Sequence, residues 1–264
     1  MKIIKYLCLY ILIALSGVGL VACSATGGGG SNSEADLRVA PEGNKLAVTN
    51  VKLGIGYMQK GSYEYALAKF RRAIEIDSSY PDAHYAIALL YEKLGRPETA
   101  KQHFEQAISL NPSYSDAYNA YGAFLCRKQE YDAADEQFQK ALQNPLYRTP
   151  HLVQINAGIC SVNATQYKRA EGYFRKVLQV NQKHPVALYQ MAKLNYESGN
   201  YLQARAYIQR FSSTNRPSPQ ALWLGIQIER KMGDKDAVAS YALSLRKQFP
   251  DSEEAHLLRE SSRR

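Results

Sequence analysis

Apolar, small and aromatic residues recur along this chain in a pattern that repeats every 34 residues. The first period carries Gly54 and Tyr57, followed by Ala66, Phe70 and Ala73. The same positions return as Ala88, Tyr91, Ala100, Phe104 and Ala107, then as Gly122, Leu125, Ala134, Phe138 and Ala141, and then as Gly158, Ala170, Phe174 and Val177. Small residues are needed where two antiparallel helices approach to about 8–10 Å, so each period predicts a pair of packed helices.

This pattern resembles the tetratricopeptide repeat (TPR), in which hairpins of two helices stack on one another. The resemblance implies an all-α fold, a TPR solenoid of six helix-turn-helix repeats that forms a right-handed superhelix with a short C-terminal helix. Within a TPR domain of residues 47–264, the predicted repeats lie near residues 47–80, 81–114, 115–150, 151–184, 185–217 and 218–250. Such a stack presents a curved surface to other proteins, which favours a scaffold over an enzyme.

Two repeats depart from the period. The third ends in residues 144–150, a segment about two residues longer than the period allows, and we expect it to loosen the join to the fourth repeat. The sixth has Tyr241 where the other repeats favour Phe, and it is followed by a predicted short helix near residues 252–262. Terminal repeats that differ in this way usually cap the stack, because the last interface faces water.

The first 22 residues have the features of a secretory signal peptide. Lys2 and Lys5 precede an apolar run over residues 6–21, which is too short for a retained membrane helix. The run ends in Leu-Val-Ala-Cys at residues 20–23, which resembles a bacterial lipobox and predicts lipidation of Cys23. The alternative is a chance cysteine after an ordinary signal peptide.

A flexible tether is predicted between Cys23 and the repeats. Residues 23–46 include four consecutive glycines and several serines near their start, a composition that cannot bury apolar surface. Ser24 follows the cysteine where the best-known sorting rule requires Asp for retention in the inner membrane. We therefore expect a lipid anchor in the outer membrane, with the folded body in the periplasm.

The charge of the chain is basic. Of 33 Lys and Arg residues, Lys2 and Lys5 leave with the signal peptide, so 31 remain against 24 Asp and Glu, a formal charge of +7. Secretion argues against a nucleic-acid partner, as does the scatter of basic residues along outer helix faces without interleaved aromatics. Contact with anionic lipid headgroups or an acidic partner, and a simply solvated convex face, both stay open.

Cysteine usage predicts one disulfide. Of four cysteines, Cys8 leaves with the signal peptide and Cys23 is taken by lipid, which leaves Cys126 and Cys160. These two lie 34 residues apart, each near the end of a first helix, and first helices of successive repeats pack side by side. A bridge needs Cα atoms within about 7 Å and an oxidising compartment such as the periplasm. The alternative is a pair of buried free thiols.

Signatures of catalysis are missing from the sequence. The five histidines show no His-x-x-x-His spacing and no partnering cysteine, which disfavours a metal site. There is no Gly-x-Ser-x-Gly elbow, and the Gly56 to Ser62 segment lacks the lysine of a phosphate loop. We therefore expect no catalytic residue, metal, cofactor or small-molecule substrate.

The first helix of each TPR lines the concave groove through its second, fifth, ninth, twelfth and thirteenth positions. These positions predict a partner-binding groove formed by Val48, Val51, Ile55, Tyr85, Leu89, Asn119, Leu152, Ile155, Ile159, Tyr189 and Tyr196, with Met58, Glu92 and Arg127 beside them. An apolar and aromatic inner face of this kind normally marks a binding site, here for an apolar segment of a partner. The alternative is that the superhelix is tightly wound and these residues pack on one another.

Four stretches resemble one family in particular. They are KLGIGYMQKG at residues 52–61, NAYGAFLC at 119–126, ALWLGIQIER at 221–230 and ASYALSLRKQFP at 239–250. The family is the type IV pilus biogenesis lipoproteins PilF and PilW, the pilotins of the pilus secretin. The resemblance implies a monomeric outer-membrane lipoprotein that helps the secretin subunit to reach the outer membrane and to assemble, and hence supports pilus assembly and twitching motility.

Two other functions compete with this interpretation. One is a TPR scaffold for another envelope machine, such as outer-membrane protein assembly or peptidoglycan synthesis. The other is an enzyme within a TPR frame, against which the missing catalytic groups already argue.

Overall fold

The computed structural model describes residues 43–261, which form thirteen α-helices and no strand. The helices are α1 (Lys45–Gln59), α2 (Tyr63–Ile76), α3 (Pro81–Lys93), α4 (Pro97–Leu110), α5 (Ser115–Arg127), α6 (Tyr131–Leu142), α7 (Pro150–Asn163), α8 (Tyr167–Val180), α9 (Pro185–Glu197), α10 (Tyr201–Thr214), α11 (Pro219–Met232), α12 (Lys235–Gln248) and α13 (Glu253–Ser261). The predicted signal peptide, Cys23 and most of the tether lie outside the described residues.

Consecutive helices pair into six hairpins, from α1 with α2 to α11 with α12, and α13 follows the last hairpin. The second helix of each hairpin packs on the first helix of the next hairpin. Neighbouring first helices also touch, as α1 does with α3 and α5 with α7. The predicted all-α TPR solenoid is thereby confirmed. No helix within residues 43–261 has both the length and the apolar character that a membrane crossing requires.

A close contact between a small residue and a phenylalanine holds each of the first four hairpins together. The phenylalanines of the second helices, Phe70, Phe104, Phe138 and Phe174, are fully buried. A Cβ atom at Gly158 would lie 2.5 Å from Cε1 of Phe174, and one at Gly122 would lie 2.8 Å from Cε1 of Phe138. Since real Cβ atoms do not approach carbon so closely, the ring occupies the space that the missing side chain leaves open.

The turns inside the hairpins need a left-handed backbone. Gly61, Gly95 and Gly199 supply it at φ values of 75°, 68° and 78°, which glycine adopts without steric cost. Gln129 and Thr165 occupy the corresponding turns of the third and fourth hairpins at φ values of 64° and 57°. Hairpin geometry is therefore preserved even where the sequence does not place glycine.

The long connection between the third and fourth hairpins is pinned to the stack, so the expected loosening is wrong. Its Tyr147 hydroxyl donates to Asp116 Oδ1 at 2.7 Å, and Asn144 Nδ2 donates to the carbonyl of Ser113 at 3.2 Å. Across the same junction, Tyr173 donates to Asp135 Oδ1 at 2.7 Å. The residues of the long connection are therefore fixed by hydrogen bonds to residues that lie about 30 positions earlier in the chain.

A disulfide spans the same junction on the side of the first helices. Cys126 on α5 and Cys160 on α7 are bonded, and their Cα atoms lie 5.8 Å apart. The two residues occupy slightly different positions in their repeats, yet the packing of α5 beside α7 brings them together. Whether the bond forms in the cell depends on the compartment and stays a prediction.

The C-terminal helix covers the end of the stack. Ala255 and Leu258 of α13 are buried in a cluster with Leu222 and Ile226 of α11. In this position α13 packs on α11 as the first helix of a further repeat would. It therefore shields apolar residues that the last hairpin would otherwise expose to water.

We expect Gly158→Val to lower the free energy of unfolding by about 2 kcal/mol or more, because the buried ring of Phe174 has no space into which it can move. Gly172→Val is the matched control, since a side chain at this exposed position in the same repeat meets no atom within 4 Å. Thermal or urea unfolding compares the two variants. Equal stability of both would contradict the close-contact explanation.

Oxidised mature protein is expected to show no reactive thiol from Cys126 or Cys160 after denaturation without reductant. In the chain-entropy account, closing a loop of 34 residues stabilises the fold by roughly 3–4 kcal/mol. Thiol titration of the denatured protein and unfolding of the Cys126→Ala, Cys160→Ala double variant measure the two effects. Two reactive thiols in protein taken from the periplasm would refute the bridge.

Candidate functional site

The inner face of the stack is formed by the first helices α1, α3, α5, α7, α9 and α11. Every residue of the predicted groove lies on one of these helices. They differ widely in exposure, and that exposure decides which of them a partner can reach.

Two of the predicted groove residues are wrong as contact residues. Val51 is 5% exposed and packs in the cluster that contains Phe70 and Ala83, and Ile155 is 8% exposed in a cluster with Leu188. Both side chains are used where one hairpin packs on the next. For these two positions the alternative interpretation, packing within the stack, is correct.

Other predicted residues are accessible. Leu152 is 47% exposed at the start of α7, and Ile55 is 37% exposed on α1. The remaining apolar members, which are Val48, Leu89, Ile159, Tyr189 and Tyr196, are half-buried against the core clusters. The inner face therefore exposes separate apolar side chains along its length rather than one continuous apolar surface.

Tyr85 packs against a hydrogen-bonded pair, Tyr114 and Asp82, near the beginnings of α3 and α5. Its ring meets the edge of the Tyr114 ring at a centroid distance of 5.4 Å, and the Tyr114 hydroxyl donates to Asp82. Burial raises the pKa of Tyr85 to about 12, so its hydroxyl is protonated at neutral pH. Beside this cluster, Asp82, Tyr114, Asp116 and Tyr147 contribute to a cleft of about 350 Å³.

Two polar residues of the inner face, Asn119 and Arg127, are engaged inside the stack. Asn119 accepts a hydrogen bond from Asn156 Nδ2 at 3.0 Å, which links α5 to α7. Arg127 forms an ion pair with Glu92 at 2.6 Å, which links α5 to α3. Because each already has a partner, capture of a peptide carboxylate at this place is disfavoured.

An accessible cleft with three aromatic side chains lies between α9, α11 and the beginning of α13. We call it the C-terminal cleft. It measures about 320 Å³ and is lined by Tyr189, Lys193, Tyr196, Glu197, Gln220, Trp223, Leu224, Gln227 and Glu254. Three aromatic side chains surrounded by amide and charged groups form an environment that takes up an apolar side chain and orients the polar groups around it.

Electrostatics at the C-terminal cleft are nearly balanced. Lys193 lies 3.8 Å from Glu197, an exposed pair one helical turn apart, and Glu254 approaches from α13. Burial raises the pKa of Tyr189, with smaller contributions from Glu254 and Glu197. The cleft thus carries tyrosine hydroxyl groups and no strong net charge, which suits a mixed apolar and polar segment.

The histidines of the second hairpin form a neutral pair. The Nδ1 atoms of His84 and His103 lie 3.1 Å apart, and His103 stacks on Tyr91. Burial, with the neighbouring His84 as a smaller cause, lowers the pKa of His103 to about 4. Within residues 43–261, no group of three or more His, Cys, Asp or Glu side chains is arranged to hold a metal ion.

Of the nine residues that line the C-terminal cleft, only Tyr189 and Tyr196 were predicted from the sequence, and seven were missed. Trp223 and Gln227 lie on α11 at positions outside the usual groove set, and Glu254 belongs to the capping helix. Trp223 is the only tryptophan of the chain, and Arg230 lies over its ring at 5.6 Å. The rarity of tryptophan was the only feature of the sequence that pointed to this residue, because the exposure of the Trp223 side chain depends on how α13 packs.

Comparison with known families identifies the repeats. Tetratricopeptide repeat family profiles match residues 81–114, 103–137 and 162–224, and a TPR repeat profile matches residues 56–95. These matches fall on the hairpins described above.

Individual relatives cover nearly the whole chain. The type IV pilus assembly protein PilF of Pseudomonas aeruginosa is 31% identical over 241 residues, which are 91% of this chain and 94% of that protein. The solved structure of Pseudomonas aeruginosa PilF has a TM-score of 0.71 and covers 82% of this chain and 97% of that chain, at 31% identity. The structure of PilW, described as a widely conserved type IV pilus biogenesis factor, has a TM-score of 0.73 and is 29% identical. The match covers 81% of this chain and 99% of that chain.

Proposed function

Because this chain belongs to the PilF and PilW family of type IV pilus biogenesis proteins, we propose that it is a pilotin, an outer-membrane lipoprotein that binds the secretin subunit of the pilus. In this role it promotes localisation of the secretin to the outer membrane and its oligomerisation, and hence pilus assembly and twitching motility. One observation carries the proposal: the likeness to PilF runs through 91% of the chain and therefore reaches each of the six hairpins.

The proposed secretin-binding surface is the inner face, with the C-terminal cleft as its anchor point. Tyr189, Tyr196 and Trp223 supply large apolar contact areas with few rotatable bonds, a combination found at binding hot spots. Leu152 on α7 of the fourth hairpin extends this surface, since its side chain is 47% exposed. An amphipathic or extended segment of the secretin would place apolar side chains here.

The proposed anchor is the lipidated Cys23 on the tether of residues 23–46, with the folded body monomeric in the periplasm. Each buried methylene of an acyl chain contributes about 0.8 kcal/mol to membrane binding, so two or more chains hold a protein firmly. The tether lets the body reach a secretin subunit while the anchor holds the pair at the membrane.

We expect Cys23→Ala to release a folded protein from the outer membrane, because the acyl chains supply the binding energy in this proposal. Cell fractionation with immunoblotting measures the distribution, and circular dichroism of the released protein checks that it is helical. A variant that stays wholly in the outer membrane would show that a protein contact, rather than lipid, is the anchor.

Substitution in the inner face is expected to weaken capture of the purified periplasmic region of the cognate secretin. Loss of an aromatic hot spot commonly costs 2 kcal/mol or more, about thirtyfold in affinity, so Tyr196→Ala and Leu152→Asp should each raise the Kd by roughly this factor. Isothermal titration calorimetry or biolayer interferometry measures the Kd.

Tyr65→Ala is the matched control, since Tyr65 is an exposed tyrosine on the outer helix α2. Ile155→Asp is unsuitable as a binding test, because a charge at this buried position destabilises the stack. If the folded Tyr196 and Leu152 variants bind with wild-type affinity, the binding surface lies elsewhere. If the wild-type protein does not bind the secretin region, the pilotin proposal is wrong.

A further inference from the structure

Positive charge is concentrated in the fourth and fifth hairpins. Residues 151–217 carry nine Lys and Arg residues against two Glu, whereas residues 81–150 carry seven against nine acidic residues. Two of the nine form ion pairs elsewhere: Lys193 pairs with Glu197 at the C-terminal cleft, and Arg205 pairs with the buried Glu229. The other seven, Lys168, Arg169, Arg175, Lys176, Lys183, Arg210 and Arg216, are all exposed.

Five of these seven charges have no acidic partner. Arg169 lies 3.5 Å from Asp135, and Arg175 pairs with Glu171 at 2.7 Å. Within residues 43–261, no carboxylate lies within ion-pair distance of Lys168, Lys176, Lys183, Arg210 or Arg216. Such a group of uncompensated charges produces a positive potential over the surface that carries it.

The charges share the outer side of the stack. Helix α8 buries Ala170, Phe174 and Val177 on one side and exposes Lys168 and Lys176 on the other. Lys183 and Arg216 lie in the connections that follow α8 and α10. We call the exposed residues of α8 and α10, with these two connections, the basic outer face. The outer helix α6 differs, since it exposes Asp132 and Glu136.

Between α8 and α10, two guanidinium groups line one shallow cleft of about 420 Å³ with Leu178, Gln179, Gln182 and Tyr207. Arg210 is held in place there, because it donates to the carbonyl of Gln182 at 2.8 Å and lies over the Tyr207 ring at 5.8 Å. Arg175 is held only by an exposed pair with Glu171, which contributes little and can be exchanged for another anion. Guanidinium and amide groups around a cleft match the oxygen atoms of a phosphate group.

Apolar side chains are exposed at both ends of α8. Val180 is 87% exposed at its C-terminal end, and Tyr167 is half-exposed at its N-terminal end. Exposed apolar side chains beside basic residues are typical of protein surfaces that lie at the boundary of headgroups and acyl chains.

We propose that the basic outer face binds the anionic phospholipid headgroups of the membrane. The occupant is a lipid surface rather than a protein, because the groups without an acidic partner are long side chains spread over two helices and two connections. A fluid lipid layer can supply phosphate groups to such an array without matching its shape. Nucleic acid is disfavoured, since the face carries no row of aromatic rings on which bases could stack.

Contact through the outer face orients the inner face. The first helices lie on the opposite side of each hairpin from the outer face of α8 and α10, so the C-terminal cleft would point away from the lipid. The inference rests on the proposed lipid anchor, which keeps the body close to the membrane and makes a weak electrostatic contact effective.

Sedimentation with vesicles tests the proposal. The probe is the whole mature chain with Cys23→Ala, which lacks acyl chains, mixed with vesicles of phosphatidylcholine alone or of phosphatidylcholine with phosphatidylglycerol. We expect binding only to the anionic vesicles, and we expect it to weaken as salt is raised. Since each basic residue near an anionic surface contributes about fivefold to partitioning, Lys168→Glu, Lys176→Glu, Lys183→Glu together should reduce binding about 100-fold or more.

The matched control is Lys52→Glu, Lys60→Glu, Lys128→Glu, which changes the net charge equally at exposed lysines of the first and third hairpins. Equal losses in both triple variants would mean that net charge alone acts and would overturn the proposal. The proposal would also be overturned if the first triple variant bound anionic vesicles as well as the parent chain does, or if the parent chain did not bind them. If vesicle binding is unaffected but secretin capture falls in the first triple variant, the face belongs to an acidic protein partner. Vesicle binding needs no secretin, so its outcome is independent of the pilotin proposal.

Discussion

The contact between a residue without a large side chain and a buried phenylalanine is the constraint on which this structure depends. In the first, third and fourth hairpins the ring of Phe70, Phe138 or Phe174 occupies space that any Cβ atom on the facing glycine would need. This fixes how closely the two helices approach, and the next hairpin then packs on the pair. Because one geometry recurs, first helices stay on one side of the stack and second helices on the other, which separates an inner face from an outer face.

The same constraint explains what could be predicted from the sequence. The positions of Gly122 and Phe138 recur with the period, so the hairpins and the side-by-side placement of Cys126 and Cys160 followed from it. The exposure of individual side chains on the inner face could not be predicted from the period. Ile155 and Leu152 both occupy groove positions on α7, yet Ile155 is buried and Leu152 is exposed, because Ile155 packs in a cluster with Leu188 of the next first helix. The pinned connection at Tyr147 depends on Asp116, which no local pattern links to it.

The two faces carry different chemistry, and each suits a different environment. The inner face ends in a nearly neutral cleft of aromatic and amide groups, which suits an apolar segment of a protein. The outer face of the fourth and fifth hairpins carries unpaired Lys and Arg side chains with an exposed valine, which suits a layer of anionic headgroups. The proposed function needs both kinds of surface at once, since it connects a membrane with a secretin subunit.

The amount of multimeric secretin in outer-membrane fractions of cells that lack this protein tests the account most directly. Immunoblots of separated membranes compare these cells with cells that regain the lipidated chain. The account predicts a marked loss of multimers from the outer membrane and their return with the chain. An unchanged amount of outer-membrane multimer in the cells that lack the protein would contradict it.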